Sequence, residues 1–327
     1  MDQKSKWRLH LRHCVIIAIA FSVIVLICAA IWFGTYKMPT TLAYLTPTKV
    51  SQRISMVSSQ SIPATNSQSV SEAGTQISSD IPQNSSISSV SSSTGPAYQQ
   101  SYPNLYVPSV EKAPRKAGDK VVYLSFDDGP SELTEPLLNV LDQYDVKATF
   151  FVMAQGKSKE NCAVWMNDIV HRGHALALHT YTHDYRQIYA SPQAFLDDFA
   201  RMSDFIEQST GEKVTMFRFP GGSVNSYNKL TGKAIRDEMT RRGYTYYDWN
   251  VSSGDAANAP SAGNIYHNVI RGVHKYNTSI VLMHNSAAKR ATLSQVANII
   301  ITLKNEGYRF DKLDPSVKPV NFVAQGD

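Results

Sequence analysis

KVVYLSFDDGP, residues 120–130, decides the fold of this 327-residue chain. An apolar, β-rich run from Lys120 to Phe126 ends abruptly in Asp127-Asp128-Gly129-Pro130, a set of turn formers. A dinucleotide or NTP fold would place GxGxxG or GxxxxGK[ST] after its first strand, and neither is present. Two carboxylates at that point repel phosphate, so both readings lose their main support.

Working outward, similar runs recur at Lys147–Met153, His174–His179, Val214–Phe219, Tyr244–Val251, Ser279–Met283 and Tyr308–Leu313. Amphipathic stretches lie between them. Thr134-Glu135-Pro136 reads as an N-cap with an early proline, and Ser191-Pro192 opens a helix that Gly211 stops. Ala291 to Glu306 reads as another, closed by Gly307. Strand–helix alternation of this kind predicts a parallel α/β sheet, either open and doubly wound or closed as a barrel.

The rest of the chain divides by composition. Hydrophobic residues make up 43% and charged residues 18%, and the net charge is only +5, without a dense Lys/Arg block. Nucleic acid is therefore not the expected partner, and no obligate protein partner is evident. Three cysteines exclude a disulfide scaffold and a Cys-rich metal module.

Residues 1–13 carry Lys4, Lys6, Arg8 and Arg12, and Cys14 to Phe33 is apolar but for Ser22. About 20 such residues cross a bilayer as a helix, and the flanking charge keeps the N-terminus cytoplasmic. The expectation is a transmembrane anchor at 14–34. A cleaved signal peptide is the rival reading, but the apolar run is too long for one and Ile31-Trp32-Phe33 replaces the small residues wanted at a cleavage site.

Residues 35–116 read as a Ser/Thr-rich disordered linker. Between Ser51 and Pro96 the only charges are Arg53, Glu72 and Asp80. Such a segment buries too little apolar surface to offset its ordering entropy. As coil it spans roughly 50 Å, a tether between membrane and domain. The folded domain is expected over 117–327.

Within that domain the unusual polar residues fall at strand ends. Asp127 and Asp128 follow the first strand, His179 and His183 the third, Arg218 closes the fourth, Asp255 lies past the fifth and His284 ends the sixth. Parallel sheets carry their active sites at that end. Singly, each has an ordinary explanation: a solvated turn, a core histidine, a salt bridge. Those explanations do not account for their convergence on one rim. Two imidazoles and a carboxylate make a three-ligand zinc site with a position open for water. Adjacent aspartates cannot both point the same way, so one can bind metal while the other serves as base.

Five segments, in order, resemble the motifs of the polysaccharide deacetylases, the NodB-homology group or carbohydrate esterase family four. They are Phe126 to Pro130, His179-Thr180-Tyr181-Thr182-His183, Arg218-Phe219-Pro220-Gly221-Gly222, Trp249 to Asp255, and Leu282-Met283-His284. The likeness extends to membrane-anchored peptidoglycan N-acetylglucosamine deacetylases. It implies a distorted (β/α)7 barrel that hydrolyses N-acetyl groups on a hexosamine polymer. It also implies Asp127 as catalytic base, Asp128, His179 and His183 as ligands of Zn2+ (Co2+ or Mn2+ as substitutes), and Arg218 orienting Asp127. Gly221 then supplies an oxyanion-holding N–H, and His284 is the general acid held by Asp255. Leu282 and Trp249 line the acetyl pocket.

Departures from the family pattern are Gly221 in place of a common tyrosine, Ala256 in place of a frequent tryptophan and Ser252 in place of an acidic residue. They open the groove wall. The expected activity is outside a bacterial membrane, on N-acetylglucosamine of peptidoglycan. The alternatives are N-acetylmuramic acid, chitin oligomers or acetylxylan, and, in another class, a non-catalytic wall-binding module. Cys162, His171, His174, His267 and His274 read as structural or exposed.

Overall fold

The computed structural model describes residues 95–108, 120–257 and 260–322. The anchor expected at 14–34 and nearly all of the linker lie outside the described residues. Among the described residues no helix is long and apolar enough to cross a membrane.

β1 (Val121–Gly129) is buried along its length except at Asp128. It sits at the centre of an eight-stranded sheet with β2 (Thr149–Val152), β3 (Ala175–Leu178), β4 (Met216–Phe217), β5 (Thr245–Tyr246), β6 (Val251–Ser252), β7 (Thr278–His284) and β8 (Arg309–Phe310). The order is β5-β4-β3-β2-β1-β7-β6, with β8 added to the start of β1, and every pairing is parallel. The crossovers carry helices, as parallel strands require. They are α1 (Thr134–Gln143), α2 (Lys159–His171), the single-turn α3 (Tyr185–Ile188), α4 (Pro192–Thr210), α5 (Gly232–Arg241), α6 (Ala262–Val273) and α7 (Arg290–Asn305).

Seven strands were expected and eight are present among the described residues, because the run Tyr244–Val251 divides. The Tyr247 N–H donates to Phe217 O on the β4 side, and the Asn250 N–H donates to Ile280 O on the β7 side. One stretch of chain thus passes from one edge of the sheet to the other, and the sheet curls until those edges meet on it. The third expected helix runs Arg290–Asn305, with Gly307 at φ 83° just beyond. Ser191 caps α4 through the Ala194 N–H, and Gly211 ends it at φ 76°. Thr134 is not a cap: its hydroxyl oxygen accepts from the Ser131 N–H and from Asn285 Nδ2, tying α1 to the strand ends.

Alternation along the strands sorts the core. Val122, Leu124 and Phe126 face the helices with Phe150, Phe217 and Met283, while Val121 and Tyr123 face the inside of the curl with Phe151, Ala177, Met216 and Ile280.

The domain also begins earlier than residue 117. Residues 95–108, read from composition as linker, pack against α5. The Arg242 guanidinium donates to the carbonyls of Tyr98, Ser101, Tyr102 and Leu105, and the Val107 N–H donates to Arg242 O. Leu105 is buried. Aromatic residues absent from the Ser/Thr tract make this stretch able to dock.

Candidate active site

Side-chain parity builds the site. On β1 the inward series Val121, Tyr123, Ser125 ends at Asp127, and on β7 the series that includes Ile280 ends at His284. Asp127 and His284 are register partners, so both point into the same mouth. Ala175 and Ala177 lead to His179, and Met216 leads to Arg218. The elements that make the core therefore also aim the polar residues.

Asp128, His179 and His183 converge. His183 Nε2 lies 3.2 Å and His179 Nε2 3.6 Å from Asp128 Oδ1, and the three donor atoms lie within 4.8 Å of one another. Asp128 Oδ1 is buried and accepts no hydrogen bond. A carboxylate oxygen left without a donor beside two imidazole nitrogens fits a divalent cation. His179 Nδ1 lies 2.8 Å from Arg218 O, a contact that turns Nε2 toward the site. Burial would raise the Asp128 carboxyl, but His179, His183, His284 and Lys157 together hold it below the usual carboxylate range. Burial likewise pushes the His179 imidazole down, toward the neutral form a metal needs, against the pull of Asp127 and Asp128.

Two of the three sit in strained backbone: Asp128 has φ 64° and His183 φ 57°. Left-handed φ at a non-glycine residue costs about 1–3 kcal/mol and persists only where neighbours enforce it. Lys157 Nζ donates to Asp128 O at 2.6 Å. Asp198, on α4, accepts from the N–H groups of Tyr181 and Thr182 and from the hydroxyls of Thr180 and Thr182, so its carboxylate grips the whole His179–His183 turn.

Asp127 is held from behind. Arg218 is fully buried and donates from Nη1 to Asp127 Oδ1 and Ser125 Oγ, both at 2.8 Å, from Nε to Tyr247 O and from Nη2 to Asp248 O. Its guanidinium also lies over Phe151, 4.1 Å from the ring centroid. On the other side His284 Nδ1 meets Asp255 Oδ1 at 2.7 Å, and Asp255 Oδ2 accepts from the His284 N–H and Thr292 Oγ1. Burial lowers the His284 imidazole, but the hydrogen bond to Asp255 and the charges of Asp127, Asp255 and Asp128 outweigh it and raise its pKa.

Asp127, Asp128, His179, His183, Gly221, Trp249, Leu282 and His284 line one cavity of about 370 Å³. Arg218 and Asp255 stand behind it, so every site residue read from sequence is here or in contact with one that is. Tyr185, Ala256 and Lys289 complete the lining. Tyr185, Lys289, Lys157 and Asp198 were not legible, although Asp184-Tyr185 directly follows the second histidine. The paired glycines have a steric reason. A β-carbon at Gly221 (φ 73°) would lie 2.7 Å from Tyr185 Cε1, and one at Gly222 (φ 87°) 2.7 Å from Phe322 Cε2. Away from the site, Cys162 and His174 are buried and His274 pairs with Glu306.

A family model for polysaccharide deacetylases matches residues 114–246. The putative polysaccharide deacetylase YheN of Bacillus subtilis is 35% identical over 208 residues, 62% of this chain and 71% of that protein. The chain belongs to the polysaccharide deacetylase family. Among solved members, the catalytic domain of a peptidoglycan N-acetylglucosamine deacetylase from Eubacterium rectale superposes with a TM-score of 0.61 at 39% identity, over 66% of this chain and 97% of that one. A family 4 acetyl xylan esterase from Clostridium thermocellum, solved with a cobalt ion, gives 0.50 at 26% identity over 59% and 88%. The family-model match stops before Asp255 and His284, so it is the fold that joins this polysaccharide deacetylase's last two polar residues to the rest.

Proposed function

We propose that the chain is a metal-dependent N-acetyl hydrolase acting outside the cell on a hexosamine polymer, with N-acetylglucosamine of peptidoglycan as substrate. The observation that carries this is the placement of Asp127 and His284, register partners on adjacent strands, in the same cavity as the Asp128–His179–His183 cluster. The peptidoglycan choice is supported by the similarity to the Eubacterium rectale peptidoglycan N-acetylglucosamine deacetylase. It is also supported by the apolar run Cys14–Phe33, which would anchor the chain in a membrane beside the wall. The finer reading of the curl is the distorted (β/α)7 barrel.

Asp128, His179 and His183 would hold the ion, zinc by donor set, with cobalt or manganese as substitutes. Bound there, the ion would lower the pKa of water and polarise the acetyl carbonyl. The remaining work falls to side chains. Asp127, fixed by Arg218, takes the proton from the attacking water. The Gly221 N–H donates to the carbonyl oxygen as negative charge develops on it. His284, protonated and held by Asp255, gives its proton to the departing amine nitrogen as the C–N bond breaks, leaving acetate and a free amine. Leu282 and Trp249 offer an apolar wall to the methyl.

Metal analysis with acetate release from wall fragments tests these roles. Asp127→Asn should keep near wild-type metal stoichiometry while turnover falls about 10²–10⁴-fold, the usual worth of a positioned base. Asp128→Asn should lose metal, with part of the rate restored by added zinc. Metal loss in Asp127→Asn and retention in Asp128→Asn would reverse the two roles. Undiminished acetate release from both variants would remove the base and the ligand alike.

A further inference from the structure

We propose that Tyr185 and Tyr227 form a sugar-binding platform beside the candidate centre, taking the pyranose ring next to the unit being deacetylated. This rests on the polymer-deacetylase reading and extends it to how the polymer is held. Tyr185 lines the cavity and stands edge-on to His183, with ring centroids 5.2 Å apart at 89°. Its place depends on residue 221 lacking a side chain, since any β-carbon there would meet the ring at 2.7 Å. The wall that Gly221 leaves open is thus occupied by an aromatic ring brought from α3.

Tyr227 continues that surface outward. Its ring centroid is 5.1 Å from that of Tyr185, the planes tilted by 49°, and the residue is 54% exposed. The loop beneath it is braced. Asn225 donates to Pro220 O and Gly222 O while its own side-chain oxygen accepts from the N–H groups of Tyr227 and Asn228. A large ring held at the surface by a fixed loop gains little from the hydrophobic effect in the free protein, which marks it as a contact surface. Adjoining rings that run from a reaction centre into solvent suit one kind of occupant. A pyranose has a face of C–H bonds for an aromatic plane and an equatorial rim of hydroxyls that stays in water. Tyrosine, with an apolar body and a polar tip, matches both.

The test uses the full-length chain, purified in detergent with zinc supplied and carrying Asp127→Asn to suppress turnover. An N-acetylglucosamine tetramer is titrated into it calorimetrically. Adding Tyr227→Ala should raise the tetramer Kd about three- to tenfold, the range expected for losing one aromatic contact. Tyr227→Phe should restore it, and Tyr276→Ala, at an exposed tyrosine just before β7, should leave it unchanged. In the chain with Asp127 intact, Tyr227→Ala should raise KM for the tetramer and leave kcat alone. An unchanged Kd in Tyr227→Ala, no rescue by phenylalanine, an equal loss in Tyr276→Ala, or no tetramer binding at all would overturn the platform. Failure of the wild-type chain to release acetate would overturn the deacetylase reading instead, and the binding comparison separates the two.

Discussion

Two arginines, Arg218 and Arg242, are fully buried, and their surroundings are built alike. Each guanidinium meets one carboxylate, Asp127 for the first and Glu238 for the second, and donates otherwise to backbone carbonyls and, for Arg218, to the Ser125 hydroxyl. Burying a charge is tolerable only when it is paired and its donors are satisfied, and both sites meet that condition. What differs is what the partner is free to do. Glu238 is enclosed with Arg241 and Arg242, which in turn hold residues 95–108, the strap, against α5. Asp127 is gripped through Oδ1 and opens onto the cavity. One physical device thus closes off a carboxylate at one place and, at another, fixes the carboxylate proposed as the base.

That division can be broken by experiment. The largest effect is expected at Arg218. Lysine keeps the charge but loses the planar fork that reaches Ser125, Asp127, Tyr247 and Asp248 together. Arg218→Lys should lower kcat about 10²-fold or more, with metal content unchanged. A near wild-type rate would make Arg218 merely structural. Next comes Arg242→Ala, which leaves Glu238 with Arg241 alone and releases residues 95–108. Denaturant unfolding should show a loss of about 3–5 kcal/mol, and kcat per folded molecule should hold. Starting the chain at residue 109 should cost a comparable amount, and adding Arg242→Ala to it should cost far less than the two effects summed. Full additivity would mean that the strap and the arginine act separately.

The smallest effect is a shift in pH profile. In the proposed mechanism His284 must be protonated to act as acid, so activity should be present below its raised pKa and lost as pH rises through it. Asp255→Asn removes the partner that raises it. The alkaline limb of kcat/KM should move to lower pH. A limb that stays in place would assign it to another group.

Much of the site was legible because strand parity and strand ends are local. Once the run 120–126 is a strand, the position of Asp127 follows, and the same holds for His179, Arg218 and His284. The division of 244–251 was not legible, since pairing with β4 at one end and β7 at the other is decided by the sheet's curl. Nor were the supports of the histidine turn. Asp198 lies on an amphipathic helix where an acidic residue reads as solvated, and only packing turns it toward Thr180 and Thr182. Gly221 stood out in the sequence as an absence. The ring that fills the place comes from Tyr185, far away in the chain.

The curl of the sheet also bears on how the molecule meets its neighbours. Its outermost strands, β5 and β6, are two residues each and share one short connection, residues 247–250. Along that connection the Tyr247 and Asn250 N–H groups are already taken by the flanking strands, and the Asp248 N–H by Val320 O. A foreign strand would find almost no run of free donors and acceptors on which to zip. That removes the simplest route by which two copies of the domain could fuse edge to edge.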